Sequence, residues 1–221
     1  MRQPVQTRPP RLIFPTRQPR KILITGILLC AGKASRFGSQ KLLARLPAPD
    51  GRRVVEASAA HLLAAVGQVI AVTSRDDLLM RVLDDCGCQV IVNERAAEGM
   101  GSSIAAGVVA SMDDSMTTHA NPAGWIVALG DMPYAQQTTI ATVCQQLTAG
   151  CDIVVPMHLG QRGHPVGFAR QYGRPLSELQ GDSGARTVID AALIRDPSRI
   201  FYFNTDDRGV LADIDVPADM R

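Results

Sequence analysis

Hydrophobic and polar positions fall into two kinds of run along this chain. Short apolar runs rich in β-branched residues occupy positions 22–30, 69–74, 89–93, 125–129, 152–156 and 200–204. Runs of that length and composition predict buried strands. Between them lie segments with apolar residues three and four apart. Residues 54–66 bring Val55, Ala59, Leu62, Leu63 and Val66 to one helical face. Further helices are predicted over 76–86, with Ser74 or Asp76 as its cap, and over 136–148. Another is predicted after a flexible loop at 98–102, ending near residue 112. One more is predicted from 181 to about 193, opened by Asp182 or Ser183. In the closing segment, 211–219, Asp213 and Asp215 alternate with apolar residues, which predicts a strand with both carboxylates on one side. Alternating strands and helices predict an α/β domain with a mostly parallel sheet flanked by helices.

Composition leaves that picture intact and narrows the function. The 221 residues are 46% hydrophobic and 20% charged, enough for one domain with a real core. The first 21 residues differ: Pro4, Pro9, Pro10, Pro15 and Pro19 stand among arginines with no acid, which denies a continuous helix. They read as a disordered or loosely docked tail, with the folded domain over 22–221. The tail lacks the apolar core of a secretory signal. A net charge of +2 argues neither for nor against an acidic partner, and 4% aromatic content is poor for stacking nucleic-acid bases. No apolar run reaches the roughly 20 residues of a membrane helix. Five cysteines at irregular spacing form no disulfide framework, and Cys86-Gly-Cys88 lacks the second pair of a zinc site. A cytoplasmic protein without nucleic-acid or membrane partners is expected.

Candidate chemistry concentrates after the first strand. There Ala31, Gly32, Ala34, Ser35, Gly38 and Ser39 are interleaved with Lys33, Arg36 and Lys41. Small residues let backbone approach a ligand and can form an anion nest; the cations neutralise phosphate, Arg36 by a forked contact and Lys41 as a point charge. Neither GxxxxGK[ST] nor GxGxxG occurs in this stretch, and a solvated glycine-rich turn is the plain alternative. Ser102 and Ser103 at a helix start could meet an anion or simply cap the helix. Asp131 follows the strand at 125–129, Gly130 ends it and Pro133 stops further pairing. A carboxylate there faces the same crevice as the first loop and suits Mg2+, although aspartate is also a common turn residue.

Several of these stretches also carry a resemblance. Leu29, Ala31, Gly32, Arg36, Phe37, Gly38 and Lys41 stand on the nucleotidyltransferase signature L-x-A/G-G-x-x-x-R-M/F-G-x-x-K. Leu129-Gly130-Asp131-Met132-Pro133 matches that superfamily's metal-binding motif at all five positions. The segments at 99–107, 162–168, 181–186 and 213–219 resemble G-M-x-S-S-[LI]-x-x-G, R-G-x-P-x-x-F, G-D-x-G-A-R and D-I-D-T-P-x-D, with Val216 where threonine is usual. Together the chain resembles the molybdenum cofactor nucleotidyltransferases from about residue 21 to 220, and among them the cytidylyltransferases.

The resemblance implies a Rossmann-like nucleotidyltransferase fold and transfer of a nucleotidyl group with release of pyrophosphate. It implies Arg36, Lys41 and Asp131 as catalytic residues. Leu29, Ala31, Gly32, Ser102, Ser103 and Gly130 would lie around the nucleotide. Asp131 and Asp215 would hold Mg2+, with Mn2+ as the alternative metal. His164, Asp182 and Arg186 would lie around the acceptor, although a lone histidine is more often structural and a helix arginine is often just solvated. Guanylyltransferases of the family read L-A-G-G at the loop and cytidylyltransferases read A-A-G. Ala31 fits the second pattern and Cys30 departs from it. CTP and molybdopterin-bound molybdenum are therefore the expected substrates, with a molybdoenzyme or its chaperone as recipient. Use of GTP, another NTP or another phosphate acceptor is the first alternative, and a non-catalytic maturation chaperone the second.

Overall fold

The structure is a computed structural model and describes residues 23–32, 41–113 and 122–220. The 1–21 tail expected from composition lies outside these residues, as does Arg36.

The chain opens with β1 (Ile24–Leu29), then α1 (Val54–Val66), β2 (Val69–Thr73), α2 (Asp77–Asp85) and β3 (Gln89–Val92). Asp76 caps α2, its carboxylate accepting from the N–H groups of Leu78 and Leu79 at 3.1 Å each. Next come α3 (Met100–Ser111), β4 (Gly124–Leu129), α4 (Gln137–Thr148), β5 (Ile153–His158) and the short β6 (Gln161–Arg162). The last elements are β7 (Val166–Ala169), α5 (Gly173–Ser177), α6 (Arg186–Arg195) and β8 (Ile200–Asn204).

The strands form one eight-stranded sheet. β3, β2, β1 and β4 are parallel neighbours in that order. β7 then enters antiparallel between β4 and β5, and β8 adds parallel to the far edge of β5. The sheet is mostly parallel, and helices cover both faces.

Period-two alternation sends side chains to the two faces. Ile24 and Leu28 of β1, Ala71 of β2 and Ile126 of β4 pack under α1, α2 and α4 through Val55, Leu62, Leu83 and Val143. Ile27, Ile70, Val72, Trp125 and Val127 point the other way, against Ile104 and Val108 of α3, Leu176 of α5 and Val188 of α6. Trp125 is sealed in this second layer, its indole N–H donating to Ser111 Oγ at 2.7 Å.

Two sequence expectations change. Residues 211–219 form no strand. A 3-10 turn (Arg208–Leu211) leads into irregular chain and a second such turn (Pro217–Asp219). The aspartate–apolar alternation arises because Ile214 is fully buried while its neighbours face out. Its N–H donates to the Asp131 carbonyl at 3.0 Å rather than to a sheet ladder. The helix predicted from 181 begins instead at Arg186, with Ala185 at its N-cap and no side-chain cap. Gly184, at φ 53°, turns the chain between a 3-10 turn (Gly181–Ser183) and α6, so Asp182 belongs to the turn.

Candidate active site

The carboxyl ends of β1 and β4 are adjacent, because the two strands pair in register from Ile24 with Gly124 to Leu29 with Leu129. Ala31 and Gly32 follow β1, and Asp131 follows β4. A cavity of about 350 Å3 opens over them, walled also by Lys41, Met100 and Ser103. Ligands bind in this position in open α/β sheets, where strand order reverses about the first strand.

Lys41 sits at the start of a 3-10 turn (Lys41–Leu43) whose Leu42 packs on the core. Its Nζ lies 2.7 Å from Asp131 Oδ2 and 3.3 Å from Asp215 Oδ1. Lys41 thus meets Asp215, 174 positions away in sequence, and holds Asp131 on the same ammonium. Only 13% of the Lys41 side chain is exposed, against 21% for Asp131 and 48% for Asp215. Burial works against the charge of Lys41, but the hydrogen bonds and charges of Asp131 and then Asp215 outweigh it and raise its pKa above the ordinary lysine value. Asp215 is held by a carboxylate of its own loop: Asp219 Oδ2 accepts from the N–H groups of Asp215 and Val216, both at 2.8 Å.

The N-terminal turn of α3 forms the facing wall. Asn93, at the end of β3, donates through Nδ2 to Ser102 Oγ and Ser103 Oγ, each at 3.0 Å. Ser103 lines the cavity. Ser102 is buried behind it and its hydroxyl turns to the carbonyls of Arg95 and Gly99. Gly130 also lies behind the wall. A Cβ there would stand 2.8 Å from Cys30 Sγ, so glycine is required for close packing of the two strand ends. Burial pushes the Cys30 thiol well up, with Cys88 and Asp131 adding to the effect, so it serves as an apolar packing group rather than a nucleophile. Gly99, at φ 122°, lets the α3 loop close on the 181–182 turn, where any Cβ would fall 2.3 Å from Asp182 Oδ1.

A second cavity, about 640 Å3, lies over β4, β7 and β5. Met100, Leu129 and Asp182 line both cavities, so the two adjoin across these residues. His164 and Arg186 line the second. His164 Nδ1 is shut off from solvent without a hydrogen-bond partner. Burial pulls its pKa below the ordinary histidine value, against the charges of Asp131 and Asp213, which act the other way. At the rim, Asp190 pairs with Arg162 at 3.2 Å and with Arg186 at 3.6 Å, and Arg162 also stands 5.6 Å over the Tyr202 ring.

The structure thus gathers Leu29, Ala31, Gly32, Lys41, Ser103, Asp131 and Asp182 at one cavity, joins Asp215 to them through Lys41, and sets His164 and Arg186 beyond the shared wall. Sequence reading missed Asn93, Met100, Arg162, Asp190 and Asp219 as site-forming residues. Met100, Arg162 and Asp219 stand inside quoted motifs, where a signal existed. Asn93 and Asp190 stand in none of the quoted motifs.

The donor set suits a hard divalent cation. Among the described residues no group of three or more His, Cys, Asp or Glu side chains converges as a metal set. Asp131 and Asp215 could supply two oxygen ligands to such an ion, and both carboxylates lie on Lys41 Nζ. Mg2+-like ions commonly take one or two carboxylates and fill the remaining positions with water and phosphate.

The sequence model of the MobA-like NTP transferase domain matches residues 26–197. The chain belongs to that family. No curated protein matches the chain. Among solved structures, a nucleotidyl transferase from Methanothermobacter thermautotroptrophicus (Mth528) superposes on this MobA-like domain with a TM-score of 0.72 at 20% identity, over 89% of this chain and 94% of the other. Rv0371c of Mycobacterium tuberculosis H37Rv gives 0.68 at 24% identity over 89% and 95%, and has also been solved as a complex with manganese. Molybdopterin-guanine dinucleotide biosynthesis protein A of Archaeoglobus fulgidus gives 0.56 at 18% over 89% and 95%. At these identities the likeness is one of fold. The family makes the chain a nucleotidyltransferase, and no helix among the described residues is long and apolar enough to cross a membrane.

Proposed function

We propose that this MobA-like nucleotidyltransferase transfers CMP from CTP to the molybdenum cofactor, releasing pyrophosphate. The observation that carries the reading is the convergence of Lys41, Asp131 and Asp215 at a cavity that begins on Ala31 and continues past Asp182. In this reading the acceptor's terminal phosphate attacks the α-phosphorus of CTP and the bond to the β-phosphate breaks. Lys41 supplies positive charge to the α-phosphate, and Arg36, outside the described residues, holds the departing phosphates. Asp131 and Asp215 hold Mg2+, or Mn2+ as in the complex solved for the mycobacterial relative. The bound metal supplies charge neutralisation at the phosphates. Positioning and electrostatics then suffice, with no covalent intermediate on the protein.

Ala31 supports CTP: its methyl narrows the space where β1 delivers backbone to the base, favouring a pyrimidine. The second cavity, with His164, Asp182 and Arg186, takes the pterin acceptor, and Arg162 extends its cationic rim. The five cysteines are free thiols, in keeping with a cytoplasmic site of action and hand-over to a molybdoenzyme or its chaperone. Use of GTP is the competing reading: the archaeal relative is named for a guanine dinucleotide, and Cys30 stands where both loop patterns have alanine. The test is pyrophosphate release with molybdenum cofactor and each NTP, with mass analysis of the product. A CMP adduct is expected. Preference for GTP would sink the cytidine assignment, and binding without pyrophosphate would sink catalysis altogether.

A further inference from the structure

The two carboxylates offered to a metal in the reading above are already bridged by a cation from the chain itself. Lys41 Nζ stands between Asp131 Oδ2 and Asp215 Oδ1 at 2.7 and 3.3 Å, in a side chain only 13% exposed. A divalent ion that binds these two carboxylates competes with the ammonium, because two cations held within a few ångströms between the same groups repel strongly. All three groups sit on anchored backbone. Asp131 follows β4, Asp215 adjoins the fully buried Ile214 and is tied to Asp219, and Lys41 precedes Leu42, which packs on the core. The ammonium is carried on the four-carbon stem of Lys41, which has rotatable bonds where the aspartates have short stems, and Lys41 and Asp131 both line the nucleotide-side cavity.

We propose that Lys41 is an internal counter-ion that keeps the metal pair closed until a nucleotide arrives. The incoming phosphates give the ammonium a second anion to bind. Lys41 then exchanges its carboxylates for phosphate as the metal exchanges water for the carboxylates. Metal and nucleotide bind cooperatively, and free metal binds poorly. This rests on Asp131 and Asp215 being the metal pair, and not on which base or acceptor is used.

The test measures metal binding without turnover. Mn2+ is titrated into the full chain, followed by calorimetry and electron paramagnetic resonance, for wild type and Lys41→Met, with and without CTP. Without CTP, Lys41→Met should bind Mn2+ at least tenfold more tightly than wild type, and Asp215→Asn added to it should abolish the gain. With CTP the order should reverse, since the variant has lost its phosphate contact. Equal or weaker Mn2+ binding by Lys41→Met in the absence of CTP would overturn the counter-ion role while leaving the metal pair standing. Binding of Mn2+ by neither protein would overturn the metal pair and the proposal with it.

A second measurement on wild type needs no variant. The chain has three lysines, Lys21, Lys33 and Lys41, so acetylation of each is separable by peptide mass. Saturating Mn2+ alone should speed acetylation of Lys41 severalfold by driving it off the carboxylates. An unchanged rate under saturation would overturn the proposal.

Discussion

Asp131 serves the site through both its backbone and its side chain. Its carbonyl takes the Ile214 N–H and so fixes the C-terminal loop, while its carboxylate meets Lys41. Asparagine preserves the first role and removes the charge. Asp131→Asn should therefore lower turnover by roughly a hundredfold or more, the usual loss when one positioned electrostatic group is removed from an active site. Its melting temperature should change little, because Lys41 keeps Asp215 as a partner and asparagine keeps the backbone bond to Ile214. Pyrophosphate release and a thermal melt on the same preparation check both halves. His164 gives a pH-dependent counterpart. Burial depresses its folded-state pKa, whereas the unfolded chain protonates it near the ordinary value of about 6.5. Below that value the unfolded state binds more protons, so stability is full above pH ~6.5 and declines as pH falls through the depressed pKa. Melting curves at decreasing pH should show a steeper loss for wild type than for His164→Gln. Parallel slopes would mean that the ring titrates alike in both states.

At the scale of elements, α3 is pressed against the sheet at Gly107. A Cβ there would lie 2.6 Å from Ile27 Cγ2 and 3.0 Å from Val72 Cγ2. Overpacking of this kind costs about 1–3 kcal/mol, so Gly107→Ala should lower the melting temperature by roughly 3–10 °C. The loop carrying Asp215 is tied by the Asp219 carboxylate as well as by the Ile214 N–H. Asp219→Ala frees the Asp215 and Val216 N–H groups, and turnover should fall about tenfold with little change in nucleotide affinity, as single-turnover and binding measurements would reveal. These two elements also differ in how far sequence exposes them. Strands β1, β2, β4 and β5 and the buried face of α1 were legible, because two-sided burial and helical spacing both write themselves as local periodicity. The loop at 212–216 was not: its alternation has the period of a strand, but Ile214 is buried in a small cluster with Leu46, Val54 and Ala57 rather than by a sheet ladder. Lys41, Asp131 and Asp215 were legible one at a time within motifs. That a single ammonium joins them was not, since the convergence depends on strand order and not on spacing.

The molecule as a whole is ordered around β1 and β4. Its parallel half follows from alternating strands and helices, whereas the antiparallel entry of β7 between β4 and β5 has no local signature, since residues 161–169 read as a tight turn-rich segment. The proline-punctuated first 21 residues carry no apolar periodicity, and we propose that they stand apart from catalysis. Deleting residues 1–20 should leave turnover and melting temperature nearly unchanged, and a drop of several degrees would show that they support the domain. The adjoining cavities have a pharmacological consequence. Because Met100, Leu129 and Asp182 line both, the space over β1 and the space over β4 and β7 are immediate neighbours. One inhibitor carrying a nucleoside head and a pterin-like tail on a short tether could occupy both cavities at once. The second head would then bind at the high effective concentration set by the tether, and its affinity would exceed that of either fragment by orders of magnitude.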